Sequence, residues 1–165
     1  MENEFLPIFR HVRKQIYLNR QRYLLLTSGK FPHEREKIGP GPQIIETKRG
    51  LLAIYHAVGQ IKPSLAHLYG LSKGIDRSYS VCTALLDPED PCRVLCRTRY
   101  PIYIPSQPYE LYGNPGYPID IPAVVFPVGA IVWQEKLLLY CGAGDKYIIL
   151  PVSYTHLRAH ETSLH

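Results

Sequence analysis

The chain has 165 residues, a length that suits one domain with a sizeable buried core. Apolar residues make up 45 % and charged residues 20 %, which excludes a disordered or collagen-like chain, and 15 Pro with 12 Gly argue against a helical bundle. The net charge of +5 is spread along the chain without a basic stripe, so it suits anionic ligands and argues against nucleic acid as a partner.

Met1 is followed by Glu2, Asn3 and Glu4, so no positive n-region and no secretory signal is expected. Phe5 to Ile16 carries apolar residues at 5, 8, 9, 12 and 16, a helix-like spacing, against which stand Pro7 and the β-formers of Ile16–Leu18 and Tyr23–Leu26. Helix and strand both remain open there. After Gly39-Pro40-Gly41-Pro42, the runs Gln43–Thr47 and Leu51–Val58 read as a hairpin across the turn Lys48-Arg49-Gly50. Gly59 to Ser78 reads as a loop. Tyr79–Leu86 and Val94–Arg99 form a second pair across Asp87-Pro88-Glu89-Asp90-Pro91.

Nine prolines between Pro88 and Pro127, interleaved with tyrosines, predict a long ordered loop or edge segments and no helix. Ala130–Gln134, Leu137–Cys141 and Tyr147–Leu150 then read as a three-stranded meander. The longest apolar run, residues 121–133, is 13 residues long and holds Pro122 and Pro127, so it cannot span a bilayer and no membrane partner is expected. The expectation is a cytoplasmic protein with reduced Cys82, Cys92, Cys96 and Cys141. Cys92 and Cys96 lack a second tight pair, which argues against a zinc site, and no metal is expected.

From Val152 the character changes. VSYTHLRAHETSLH holds three of the seven histidines and shows no strand or helix period. It resembles the translation of a transposon-end sequencing adapter, so residues 152–165, with the His156/His160 pair, are set aside as non-native. The remaining 1–151 read as all-β and antiparallel.

Six segments resemble, in order, motifs of glycoside hydrolase family 130, the mannoside phosphorylases and related β-mannosidases. They are Glu36-Lys37-Ile38-Gly39-Pro40-Gly41-Pro42, Gly50-Leu51-Leu52-Ala53-Ile54-Tyr55-His56, and Ala84-Leu85-Leu86-Asp87-Pro88-Glu89-Asp90-Pro91. Pro108-Tyr109-Glu110, Ala123 to Ala130, and Tyr140-Cys141-Gly142-Ala143-Gly144-Asp145 complete the series across residues 36–145. Ala57 and Gln43 depart from the family's glycine and proline. The resemblance implies part of a five-bladed β-propeller, about two blades with the ring not closed, cut from a longer parent. The family's catalytic aspartate and two phosphate-binding arginines would lie upstream, since no Asp precedes Glu36. A fragment of this kind is expected to be inactive and poorly soluble alone, because open strand edges invite aggregation.

In the family, the counterparts of Lys37 and His56 help hold inorganic phosphate and the counterpart of Asp145 binds sugar hydroxyls; Phe126 would face the sugar as an apolar wall, and Tyr109 with Glu110 would line the channel. Cationic donors suit a phosphate that must be stripped of water and aimed at an anomeric carbon. A carboxylate accepts two bonds from adjacent sugar hydroxyls. Each residue also has a plainer reading: a solvated Lys37, a satisfied core His56, a turn-capping Asp145.

The function implied for the parent is inverting phosphorolysis of β-mannoside oligosaccharides to mannose 1-phosphate, with phosphate as co-substrate and no cofactor. Two alternatives are a hydrolytic β-mannosidase of the same family and a non-catalytic, tyrosine-rich carbohydrate-binding domain. Whether the parent forms a homo-oligomer is left open.

Overall fold

The structure is a computed structural model that describes residues 24–61 and 77–154. The open question at Phe5–Ile16, most of the Gly59–Ser78 loop and the tail with His156 and His160 lie outside these residues. The described chain is built of antiparallel sheet, as its alternating β-type runs predict.

A five-stranded sheet is centred on β3 (Gly50–Gln60). Its partner β4 (Arg77–Leu86) runs beside it in unbroken register from Leu51↔Leu86 to Gln60↔Arg77. Both strands are longer than the sequence signals suggest, because the backbone ladder recruits polar ends such as Arg77 and Gln60. The other side of β3 takes β1 (Lys37–Pro40) and β2 (Ile45–Thr47), and β5 (Val94–Arg97) closes the sheet on β4. The β2–β3 and β4–β5 hairpins are as expected. That Lys37–Pro40 is itself a strand was not legible, since Gly-Pro-Gly-Pro reads as a turn.

The second sheet has four strands: β6 (Val125–Trp133), β7 (Lys136–Ala143), β8 (Tyr147–Ile149) and β9 (Val152–Tyr154). The expected meander is present, with β6 beginning five residues before Ala130. Gln134 and Glu135 take positive φ in the two-residue β6–β7 loop, as do Gly144 and Asp145 in the next turn. That twist matches the strands that flank it. β9 pairs with β7 (Leu137↔Ser153), so the first residues set aside from Val152 do join a sheet. Backbone pairing needs no side-chain pattern.

The proline-rich stretch holds one element the sequence reading missed, a single helical turn α1 (Pro108–Leu111). Pro108 sits at its first turn, where no donor is lost, and the N-cap Gln107 and Glu110 form a capping box.

Successive residues of β3 face opposite ways. Ile54 packs with Val81, Val125, Ala130, Leu139 and Cys141 between the sheets, while Ala53, Tyr55 and Ala57 pack with Cys82 and Leu86 on the far face. The sheets join at β4. The Tyr79 N–H donates to Ala123 O at 2.9 Å and the Val81 N–H to Tyr103 O at 2.9 Å, with Tyr79 bridged in parallel to Val124. That junction brings Phe126 against the face of β3 that carries His56.

Candidate functional site

Register decides which side chains meet. Lys37 pairs with Val58 and Gly39 with His56, and across β3 Val58 pairs with Tyr79. Paired residues point to the same face, so Lys37, His56 and Tyr79 share the face that meets the second sheet. The Lys37 Nζ lies 5.4 Å from the Tyr79 ring centroid, and the His56 and Tyr79 rings are 6.1 Å apart. Lys37 is exposed and has no carboxylate within ion-pair distance among the described residues, for its neighbour Glu36 is held by Arg77 at 2.7 Å.

His56 is half-buried over β1. A Cβ at position 39 would run into its ring, so only glycine lets the imidazole lie there. Nδ1 lies 3.1 Å from Pro40 O; a carbonyl only accepts, so Nδ1 carries the hydrogen and Nε2 is the free ring nitrogen. Burial holds the imidazole below its ordinary value of 6.5, the Pro40 bond works the other way, and the Lys37 charge lowers it further. The unliganded site is thus a cation beside a neutral imidazole, a pair that an anion would reorganise.

On its other side His56 meets Phe126, ring centroids 6.4 Å apart. Phe126 lies across Gly142, where a Cβ would come within 2.8 Å of the ring. Phe126 and Gly142 form one wall of a hollow of about 500 Å³ completed by Asp145, Lys146, Tyr147 and Ile148. Asp145, with φ +54°, stands exposed at the tip of the β7–β8 turn with no hydrogen-bond partner among the described residues. Lys146 pairs with Asp120 at 3.3 Å. Phe126 therefore separates a cationic corner (Lys37, His56) from a hollow of mixed polarity that bears the Asp145 carboxylate.

Tyr109 stands near this hollow, its ring 6.0 Å from Tyr117 and 6.4 Å from Tyr147. Glu110 does not line it. The carboxylate is fully buried, accepting from the Tyr103 hydroxyl at 2.7 Å and from the Ser106 and Gln107 N–H groups at 2.7 and 3.0 Å. That corrects the expectation of a channel-lining role: Glu110 caps a helix and anchors a loop. Tyr79 and Tyr147 were not singled out in the sequence, where thirteen tyrosines carry no mark of which face they take.

One further cluster bears on metal binding. His33, Glu34 and Cys82 bring ligand atoms within 4.8 Å of one another in the interior. Glu34 is already held by Arg97 at 2.6 Å and by the Tyr55 hydroxyl at 2.6 Å, and burial pushes the Cys82 thiol up to about 12. The carboxylate is thus engaged by an ion pair and a hydroxyl, and burial favours the neutral thiol.

The family model for β-1,4-mannooligosaccharide phosphorylase matches residues 15–157. The β-1,2-mannobiose phosphorylase of Thermoanaerobacter sp. (strain X514) is 31 % identical over 115 residues, 70 % of this chain and 31 % of that protein. The β-1,4-mannooligosaccharide phosphorylase of Ruminococcus albus is 31 % identical over 114 residues, 68 % of this chain and 29 % of that one. Among solved structures, the Listeria innocua β-1,2-mannobiose phosphorylase bound to β-1,2-mannobiose superposes with a TM-score of 0.61 at 28 % identity, over 79 % of this chain and 31 % of that chain. The chain spans about a third of the length of the curated relatives it matches. It belongs to glycoside hydrolase family 130, the β-1,4-mannooligosaccharide phosphorylase family.

Proposed function

We propose that this chain is a section, about two blades, of a five-bladed propeller in a mannoside phosphorylase. In this reading Lys37 and His56 hold inorganic phosphate, while Asp145, Phe126 and Tyr109 face the sugar. What supports it most is one juxtaposition: a lysine with no carboxylate partner among the described residues stands beside a half-buried imidazole, one aromatic ring away from a hollow that bears the Asp145 carboxylate.

In the proposed reaction a phosphate oxygen attacks the anomeric carbon of a terminal β-mannosyl unit. An aspartic acid from the parent, outside these residues, gives its proton to the leaving oxygen. The glycosidic C–O bond breaks as the new C–O bond to phosphate forms on the opposite face, giving α-mannose 1-phosphate and a shortened acceptor. Phosphate replaces the water and second carboxylate of an inverting hydrolase. Lys37 offsets its charge, and His56, once protonated, donates to an oxygen; both act where water is displaced and such bonds are strong.

In an intact enzyme carrying this sequence, Lys37→Ala is expected to raise KM for phosphate by about 10- to 100-fold, the scale of one lost charge-assisted bond. Unchanged phosphate dependence would contradict the role given to Lys37. Release of free mannose at the same rate without phosphate would replace the phosphorylase by a mannosidase.

A further inference from the structure

Lys37 and Tyr79 stand two strands apart in one cross-strand row, Lys37↔Val58↔Tyr79. Neighbouring strands lie about 4.8 Å apart, so the two backbones are separated by roughly 10 Å. The lysine stem must cross the fully buried Val58 to bring Nζ within 5.4 Å of the Tyr79 centroid. A free lysine samples many rotamers, and only a few of them lie along that path.

The ring is itself fixed from three sides. The backbone N–H of Tyr79 is tied to Ala123 O, the His56 ring stacks on it with the two planes 25° apart, and the Arg77 Cζ lies 5.6 Å from its centroid. Arg77 is in turn held by Glu36. Glu36, Arg77 and Tyr79 thus form a chain that ends at the two residues assigned to phosphate, though none of the three is assigned to it.

We propose that Tyr79 is a positioning residue for the anion site: its ring gathers the Lys37 ammonium beside the His56 imidazole, so that both are in place before phosphate arrives. The proposal rests on the phosphate reading above and deepens it. The ring makes no bond to phosphate; it shortens the search that Lys37 would otherwise make on binding. The hydroxyl is not needed, and an aromatic face is.

The test uses an intact enzyme carrying this sequence and inorganic phosphate, followed through the His56 ring protons by NMR at constant ionic strength. Wild type and Tyr79→Phe are expected to bind equally. Tyr79→Ile keeps a strand-forming side chain but lacks the ring, and should bind about 2- to 5-fold more weakly, the size of an exposed cation–π contact. Equal affinity in wild type and Tyr79→Ile would overturn the positioning role while leaving the phosphate reading intact. No response in wild type would overturn both. Should Tyr79→Ile fail to fold, the wild type decides alone: the Lys37 ε-methylene protons are expected upfield from ring current, and random-coil values for them would overturn the proposal.

Discussion

The His56 imidazole lies over β1 only because position 39 carries no side chain. Gly39→Ala is therefore expected to swing the ring away from Pro40 and to cost about 1–3 kcal/mol, as overpacking does. Chemical denaturation would measure the loss, and the His56 ring signals would lose their response to phosphate. An unshifted ring with unchanged stability would contradict the packing described. Lys37 and His56 were legible from their motifs, and so was the glycine between them. Tyr79 was not, because what marks it is its register opposite Val58, which no local pattern reveals. Glu110 misled for a related reason: a carboxylate in a polar loop looks solvated until its three donors are seen.

Elements were legible where their signal is local. The hairpins and the β6–β8 meander follow from β-type runs and turn residues, whereas β1 and α1 are hidden by prolines that end elements in isolation. Long-range packing left still less trace. Glu34 ends the 3₁₀ turn Pro32–Glu34 and Arg97 ends β5, and each reads as a surface charge, yet their side chains are 0 % and 6 % exposed and 2.6 Å apart. Arg97 also donates to Thr27 O at 3.1 Å, tying the segment before β1 to the far edge of the sheet. Arg97→Met leaves the Glu34 carboxylate buried without its cation, at a cost of about 3–5 kcal/mol. The melting temperature should fall by roughly 10 °C for a domain of this size. The pair Arg97→Met with Glu34→Leu should recover most of that loss. A single variant that melts like the wild type would show that the ion pair does not hold these elements together.

At the scale of the molecule, two sheets meet at β4 and leave apolar side chains on their outer surfaces, among them Ile131, Val132, Trp133 and Ile148. Among the described residues no helix is long and apolar enough to cross a membrane. The matched part of the chain is about a third of the length of its curated relatives. The residues assigned to phosphate meet at one corner, where Lys37 and His56 share the Tyr79 ring. Burial first and then the Lys37 charge keep the imidazole below 6.5. The unfolded chain therefore binds the proton more readily, and the stability this group contributes is present above 6.5 and is lost as pH falls toward the folded value. A phosphate dianion reverses the balance, because it favours the protonated ring. The decisive measurement is an NMR pH titration of His56 in an intact enzyme carrying this sequence, with inorganic phosphate and with chloride at matched ionic strength. The prediction is a pKa below 6.5 in chloride that rises in phosphate, and identical titrations in the two salts would contradict the phosphate site.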